Sequence, residues 1–372
     1  MFKFEKRGSN SIRKWWWALD NVSLVLIICI ILIGALLITS ASPAVAERLK
    51  LNPFHFAHRQ FVFLIVASIL IIFISSLSEK TLKRLALLGF FICIACMVFV
   101  LFFGDEVKGS RRWLSIAGIS LQPSEIMKPI FIFLNGIVLS EKFLKEDFPS
   151  FIISFAIFAL ISCLLILQPD FGMLITYTVV LCGQLFLAGL SILWVGIAIV
   201  ATIFGGFLAY TYLPHVARRI DQFINPDINE NYQVEKSLES YISGGIFGRG
   251  PGEGIIKSSL PDSHTDFIFA VAGEEFGAVF STIIILLFFA FIVRGLYLLY
   301  LENNLLKIYV GGGIIILFAL QTIFNIGVTL HLFPTKGMTL PLVSYGGSSI
   351  ICYAIALGIF LNFTKKSYKL PK

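Results

Sequence analysis

Residues 22–41 of the chain read VSLVLIICIILIGALLITSA and contain no charged side chain. A helix needs about 20 apolar residues to cross the hydrocarbon core of a bilayer, which is about 30 Å thick. The apolar region of a signal peptide is shorter, so this run predicts an uncleaved first membrane span, although Ala44-Val45-Ala46 superficially resembles a cleavage site.

The rest of the chain continues this apolar pattern. Of its 372 residues, 57% are hydrophobic and 14% are charged, whereas soluble domains carry about 25% charged residues. The apolar runs predict an all-α polytopic membrane protein with ten transmembrane helices. The predicted spans are 22–41, 60–76, 84–103, 124–140, 150–168, 172–190, 192–210, 266–293, 308–332 and 346–363.

Basic residues predict the orientation of these spans, because lysine and arginine accumulate in cytoplasmic loops. An even number of spans places both termini on one side, which holds sixteen basic residues against twelve on the other. We therefore expect both termini in the cytoplasm. The predicted parts are a cytoplasmic segment 1–21, a single membrane domain 22–364 with a large extracytoplasmic loop 211–265, and a cytoplasmic tail 365–372.

The unusual motifs fall in the loops that follow odd-numbered spans, which this orientation places outside the cytoplasm. They include GSRRWL, LQPSE, QPDFG, HTD and FPTKGMTLPLVSYGG. ATP is absent on that side, so a reaction there requires a membrane-bound or already activated substrate. The net charge of +7 is scattered rather than gathered into basic runs, so we expect no nucleic-acid partner.

The long loop contains two further patterns. Residues 228–243 predict an amphipathic interfacial helix, and glycines crowd residues 244–254. The glycines lack the lysine and the preceding strand of a P-loop, so they do not predict phosphate binding of that kind. They predict a mobile lid, a hinge or a loop packed against helix ends.

Residues 260–277, LPDSHTDFIFAVAGEEFG, carry acidic groups into an apolar helix. Such groups are costly at membrane depth and mark functional sites. Ser263 and Asp266 have the spacing of a capping box, in which Asp266 would only satisfy backbone donors. Alternatively, Asp266 is a general base, an interpretation that the nearby His264 favours.

Glu274 and Glu275 lie deeper in the same predicted helix. Adjacent helical residues point about 100° apart, so the two carboxylates cannot face one partner. One is expected to reach a wet cavity and the other to pair with a buried cation. Lys128, about one turn into the fourth span, is the predicted cation.

Basic and acidic side chains in two other outer loops are candidates for ligand binding. Lys108, Arg111 and Arg112 surround a Gly-Ser pair, and arginine suits phosphate oxygens. Anionic lipid headgroups are the alternative ligand. Asp170 lies in a tight turn between two spans, where it predicts a helix cap more strongly than a catalyst.

The ninth span and the loop after it carry further polar residues. Gln321, Asn325 and Thr329 recur every four residues, which predicts either hydrogen bonds between helices or the wall of a hydrophilic groove. The following loop is punctuated by glycine, which permits close backbone approach. Its candidate ligand-binding residues are Lys336, Ser344, Tyr345 and Ser348.

Taken in order, GSRRWL with LQPSEIMK, QPDFG, GRGPGEG, residues 260–277 and PTKGMTLPLVSYGGSS resemble the signatures of the SEDS (shape, elongation, division, sporulation) family. WWWALD, GRGPGEG and PTKGMTLP resemble its division branch rather than its elongation branch. The resemblance implies a ten-span glycosyltransferase of the bacterial cytoplasmic membrane that polymerises lipid II into glycan strands at the division septum. It also implies a class B penicillin-binding transpeptidase and other divisome membrane proteins as partners.

The resemblance matches Asp266 to the family's catalytic acid. We expect it to act as base in an inverting displacement that releases polyprenyl pyrophosphate. Pyrophosphate or glycan binding is expected of Lys108, Arg111, Arg112, Lys336, Ser344, Tyr345 and Ser348. Structural support is expected of Glu125, Lys128, Asp170, His264, Glu274, Glu275 and Asn325.

A divalent cation, Mg²⁺ or Mn²⁺, is a possible cofactor that would meet the charge of the leaving group. Two other functions are compatible with the sequence. A lipid II flippase would place its binding polarity near the bilayer midplane. A non-catalytic scaffold that activates a partner transpeptidase would need none of the buried charges.

Overall fold

A computed structural model of the chain describes residues 15–107, 110–116, 119–142, 148–212, 217, 221, 232–334 and 337–365. Helices dominate these residues. They are α1 Asn21–Arg48, α2 His55–Ser76, α3 Glu79–Phe103, α4 Pro123–Glu141, α5 Ser150–Leu167, α6 Phe171–Leu187, α7 Ile192–Tyr212, α8 Tyr232–Gly244, α9 Ile268–Tyr300, α10 Leu305–Thr329 and α11 Gly347–Phe363.

Each of the ten predicted spans falls on one of these helices, and α8 is the additional helix. By length and composition, α1, α2, α3, α5, α9 and α10 can each cross a membrane, while α6 and α11 are shorter apolar helices. The prediction of a mostly helical polytopic protein is therefore confirmed at the level of helix positions.

The core lies between α4, α10 and α11, which bury most of their side chains. Peripheral helices instead present large apolar side chains outward: Phe102 is 69% exposed, Ile152 72% and Leu193 69%. Apolar surface of this extent is unfavourable in water and favourable in lipid. The chain is thus built as an integral membrane protein.

Residues 105–121 lie in the predicted loop between the third and fourth spans and include a three-stranded antiparallel sheet. The strands are β1 Asp105–Val107, β2 Ser110–Ile116 and β3 Ile119–Leu121. Glu106 pairs with Arg111 across β1 and β2, and Leu114 pairs with Leu121 across β2 and β3. Successive strand residues face opposite sides, so Arg111 and Arg112 cannot serve one ligand.

The long loop and α9 differ from the sequence prediction in their details. The predicted helix 228–243 is observed as α8 from Tyr232, and residues 228–231 lie outside the described residues. Helix α9 begins at Ile268 and is interrupted at Gly277, which has φ 77° and ψ −176°. The glycine-rich stretch packs against this interruption. Of its predicted roles, this agrees with a loop packed against helix ends and not with a mobile lid or a hinge.

Candidate active site

A cavity of about 370 Å³ lies where the first residues of α4, α6 and α11 meet the last turn of α10 and the loop before α9. Four carboxylates and one arginine line it, together with polar and aromatic side chains. The lining includes Arg112, Trp113, Gln122, Glu125, Asp170, Gln233, Asp262, Thr265, Asp266, Thr339, Tyr345, Ser348 and Ser349. The cavity therefore joins motifs that are far apart in the chain.

Asp266 lies on the cavity wall, two residues before α9. The capping-box alternative is wrong: α9 has Phe267 as its N-cap, with no side-chain cap bond. Residues 262–267 instead form a turn, in which Thr265 N–H and Phe267 N–H both donate to Asp262 O, at 3.0 and 3.2 Å. Asp266 lines the cavity and does not cap α9.

The backbone of Asp266 is held by the polar stripe of α10. Asn325 Nδ2 donates to Asp266 O at 2.9 Å and to Met338 O at 2.7 Å. Of the two predictions for the stripe, hydrogen bonding between elements is confirmed, since Thr329 also accepts from Tyr241 Oη at 2.8 Å. Asn325 thus ties the turn before α9 to the loop before α11.

His264 and the loop before α11 fix the same turn from the other side. The His264 ring packs against Phe56 and Tyr345, with centroids 4.6 and 5.4 Å away. Tyr345 N–H donates to His264 O at 2.9 Å, and Ser344 Oγ donates to Thr265 O at 2.6 Å. Burial lowers the pKa of His264 to about 4, so the imidazole is neutral at pH 7 and supports the fold rather than supplying charge.

Arg112 and Asp170 form another part of the cavity lining. Arg112 Nη1 lies 3.4 Å from Asp170 Oδ1, and its other nitrogens donate to the carbonyls of Gln168 and Pro169. Asp170 caps α6 by accepting from Met173 N–H at 3.2 Å, and it also accepts from Gln122 Nε2 at 3.1 Å. The prediction that Asp170 is a cap is confirmed, and the cap orients Arg112.

The other predicted cations are distributed differently. Arg111 Nη2 lies 3.5 Å from Glu106 Oε2 on the exposed face of the sheet and does not line the cavity. Lys108 and Lys336 lie outside the described residues. Next to Lys336, Gly337 approaches the site so closely that a Cβ atom there would lie 3.3 Å from Asp266 Oδ2.

Lys128 was predicted to pair with Glu274 or Glu275, and this prediction is wrong. Its Nζ lies 2.6 Å from Glu125 Oε2, one turn away on α4, and 3.3 Å from Gln321 Oε1. Neighbours at i and i+3 lie on one helix face, so the local acid reaches Lys128 first. Glu125 lines the cavity, and Lys128 neutralises it from behind.

The partner of Glu275 is Lys257, which sequence reasoning missed. Lys257 is 6% exposed although it lies in the glycine-rich loop. The available signal was its context, Ile255-Ile256-Lys257, in which a lone lysine follows two large apolar residues. Neither Glu274 nor Glu275 lines this cavity. Both are buried, at 0% and 1% exposure, and their carboxylates accept hydrogen bonds from protein groups.

Asp262, Gln233 and Thr339 also line the cavity and were not predicted. Within the described part of the chain, no group of three or more His, Cys, Asp or Glu side chains has an arrangement that could hold a metal ion.

The fold and the cavity define a class of protein: an integral membrane protein whose helix ends enclose an acidic, arginine-edged site. The chain belongs to the FtsW/RodA/SpoVE family, described as cell cycle proteins, whose profile matches residues 20–369. This membership confirms the SEDS resemblance seen in the motifs.

Similar curated proteins indicate the division branch. A protein of Caulobacter vibrioides named "Probable peptidoglycan glycosyltransferase FtsW" is 38% identical over 365 residues, which are 98% of this chain and 93% of that protein. A Legionella pneumophila protein of the same name is 35% identical over 345 residues, covering 90% of this chain and 87% of that protein.

Solved structures share the fold. One is a chain from a structure described as "Structural coordination of polymerization and crosslinking by a peptidoglycan synthase complex"; it has a TM-score of 0.78 at 25% identity and covers 95% of this chain and 100% of that chain. The rod shape determining protein RodA of Thermus thermophilus has a TM-score of 0.68 at 24% identity, covering 95% of this chain and 99% of that chain.

Proposed function

We propose that this protein is a peptidoglycan glycosyltransferase that polymerises lipid II into glycan strands at the division septum and releases polyprenyl pyrophosphate. The observation that carries the proposal is the cavity that Asp266 lines together with the ion pair of Arg112 and Asp170. The names of the similar curated proteins support the same activity.

The proposed topology has ten spans, both termini in the cytoplasm and the cavity on the outer side of the cytoplasmic membrane. The excess of basic residues on the terminal side supports this orientation. The positions of the helices support the number of spans. An outer cavity suits a substrate that arrives already activated and anchored in the membrane.

Asp266 is the proposed general base. Its carboxylate takes the proton from the 4-hydroxyl of the acceptor sugar while that oxygen attacks the anomeric carbon of the donor. The bond from the anomeric carbon to the pyrophosphate oxygen breaks, and polyprenyl pyrophosphate leaves with both bonding electrons. One displacement converts an α-linked donor into a β-linked product, so the reaction inverts configuration.

Arg112 is the proposed contact for the departing pyrophosphate, since a guanidinium binds phosphate oxygens through paired N–H groups. Asp170 and two carbonyls hold its orientation, which places a positive charge where negative charge develops. Tyr345 and Ser348 line the cavity and are proposed glycan contacts. Ser344 is buried within backbone contacts and is proposed as support.

A class B penicillin-binding transpeptidase is the proposed partner, together with other membrane proteins of the divisome. The similarity to a chain of a peptidoglycan synthase complex supports this assignment. Such a partner would crosslink the strands that the glycosyltransferase produces.

The deciding experiment uses purified protein in detergent with lipid II, with and without the transpeptidase. Wild type should form glycan strands, and Asp266→Asn should lower the rate by at least about 100-fold, as expected when a general base is lost. Thermal unfolding and transpeptidase binding should not change. Near-normal strands from Asp266→Asn would overturn the assignment.

The same experiment separates the other two functions. Detergent removes the two compartments, so a flippase would show no activity in it. A scaffold would polymerise nothing by itself, and its Asp266→Asn variant would still stimulate the partner.

A further inference from the structure

Helix α9 lacks two of its own backbone hydrogen bonds where Gly277 interrupts it. In a continuous helix, Ala278 and Val279 would donate to the carbonyls of Glu274 and Glu275. Here the glycine-rich loop supplies the partners for all four groups. Arg249 N–H donates to Glu274 O at 3.0 Å, Gly250 N–H to Glu275 O at 3.0 Å, Ala278 N–H to Gly245 O at 2.9 Å and Val279 N–H to Ile246 O at 3.2 Å.

We call these four bonds the backbone splice. It requires a very close approach between loop and helix: a Cβ atom on Gly248 would lie 2.2 Å from Glu275 O, and one on Gly277 would lie 2.3 Å from Gly248 N. Both glycines also have positive φ, 82° and 77°, which other residues rarely adopt. The loop is therefore a fixed part of α9 rather than a free lid.

A buried ion pair between Lys257 and Glu275 stabilises the backbone splice. The Glu275 carboxylate accepts from Lys257 Nζ, from Ser40 Oγ on α1 and from Gly252 N–H. Lys257 Nζ also donates to Ser40 O at 3.2 Å and to Gly252 O at 3.0 Å. Glu275 is 1% exposed, so the pair is isolated from water, where removal of one partner leaves an uncompensated charge.

Glu274 secures the remainder of the loop. Its Oε1 accepts from the backbone N–H groups of Ile255 and Ile256, both at 2.7 Å, and its Oε2 accepts from Lys257 N–H at 2.9 Å. Four backbone donors, counting Gly252 N–H, and one lysine therefore connect the adjacent carboxylates of Glu274 and Glu275 to one loop. From Lys257, nine residues of chain lead to Asp266.

The outer part of α9 extends from Ile268 to Phe276, with Asp266 just before it and the splice just after it. Nine residues of helix are about 13 Å long, so a tilt of about 5° at the splice moves the start of the helix by about 1 Å. A misplacement of about 1 Å can lower a catalytic rate by about 100-fold. A tilt at the splice would thus displace Asp266.

We propose that Lys257 and Glu275 are positioning residues that lock the backbone splice and so set the position of Asp266 in the cavity. The proposal rests on the glycosyltransferase function proposed above. Neither residue lines the cavity, so both act through the geometry of α9.

The test measures lipid II polymerisation by full-length protein carrying Lys257→Met. We expect kcat to fall by about 10- to 100-fold, with KM within about threefold of wild type, because substrate contacts stay and only the base moves. The double variant Lys257→Met/Glu275→Gln should recover part of the loss, since it removes the stranded charge.

The matched control is Arg294→Met. Arg294 lies on α9 beyond the splice and donates to the buried Asp20, with Nε 3.1 Å from Asp20 Oδ2. This variant also strands a buried carboxylate, that of Asp20 at the start of α1, which pairs with α9, but it leaves the outer part of α9 locked. It should lower the unfolding temperature and leave kcat within about threefold of wild type.

Ser40→Ala provides a milder variant if Lys257→Met does not fold. It removes one donor to Glu275 and keeps both charges, so kcat should fall about 3- to 10-fold, as for the loss of one hydrogen bond. A wild-type kcat in Lys257→Met overturns the proposal. If Lys257→Met does not fold, a wild-type kcat in Ser40→Ala overturns it. A fall in the kcat of Arg294→Met as large as that of Lys257→Met also overturns it. Asp266→Asn is measured in parallel: if it is active the proposed function fails as well, whereas if it is inactive a failure concerns the positioning role alone.

Discussion

His264 lies two residues before Asp266, the proposed general base, and contributes through its neutral form. Its ring packs against Phe56 and Tyr345, and its carbonyl accepts from Tyr345 N–H. The motif order, with His264 two residues before Asp266, also permits a catalytic histidine. A pKa of about 4, caused by burial, instead indicates a packing role at physiological pH.

This burial predicts a specific dependence of stability on pH. The folded-state pKa of about 4 lies below the ordinary value of 6.5, so the unfolded chain binds the proton more readily between these values. The stabilisation is therefore complete above pH 6.5 and is lost as the pH falls towards 4. The loss amounts to about 3 kcal/mol at the acid end.

His264→Phe should remove this part of the acid sensitivity, because phenylalanine keeps the ring contacts and cannot be protonated. The measurement is the unfolding temperature of purified protein between pH 7.5 and about pH 4.5, where the wild-type value should fall more steeply than that of the variant. Parallel curves would contradict the assignment of a buried neutral imidazole.

At this scale, residue types were easier to predict than their partners. Asp266, Asp170 and Tyr345 could be predicted as site residues because motif and loop position mark them. The partner of Glu275 could not, because Lys128 and Lys257 are both single lysines near an apolar stretch, and only tertiary contacts decide between them. Glu125, one turn from Lys128, gave the local signal that the prediction overlooked.

At the scale of elements, the small sheet determines which of two adjacent arginines lines the cavity. Arg111 and Arg112 look equivalent in the sequence, but neighbouring strand residues face opposite sides. Arg111 pairs with Glu106 on the exposed face, whereas Arg112 reaches Asp170 and the cavity. The strands that pair with β2 have only three residues each, which is too short for sequence patterns to reveal the sheet and therefore this difference.

Arg112→Ala should therefore lower kcat/KM for lipid II by about 10- to 100-fold, the effect expected when a charge-assisted hydrogen bond is lost. Arg111→Ala is the matched control, and its kcat/KM should stay within about threefold of wild type, since exposed ion pairs contribute little. Steady-state polymerisation rates across lipid II concentrations measure both. Equal losses in the two variants would mean that the sheet does not separate their roles.

Helix α9 illustrates a second limit of prediction at this scale. Residues 266–293 have the apolar composition of one uninterrupted span, and Gly277, one of its two glycines, gives little warning of a break. The interruption depends on backbone groups of residues 245–250, which are distant in sequence and carry no periodic signal. Apolar patterns record where a helix lies but not which segments complete its hydrogen bonds.

At the scale of the whole molecule, the helix positions were predictable because each follows from local composition. The ten predicted segments coincide with helices to within a few residues at most ends. Their packing was not predictable, since α4, α10 and α11 form the core although their composition resembles that of the lipid-facing helices. The cavity emerges only from that packing.

The proposed orientation makes a prediction for the entire chain. Ser258 is exposed in the long loop, and Asn303 is exposed in the turn between α9 and α10. In cells with a permeabilised outer membrane, a membrane-impermeant maleimide should label Ser258→Cys and should label Asn303→Cys only after the inner membrane is opened. The labelling of each variant is compared with that of a control protein from which the native cysteines have been removed. The reverse labelling pattern would show that the topology is the opposite of the proposed one.

The backbone splice also has a consequence for the biogenesis of the protein. Residues 245–250 precede α9 in the chain, so they have already been synthesised when Gly277 leaves the ribosome. Unpaired backbone groups cost several kcal/mol each in hydrocarbon, so the outer part of α9 gains its final bonds only by settling together with the loop. At this point the chain therefore inserts into the membrane as a loop together with a helix, and not as a single span on its own.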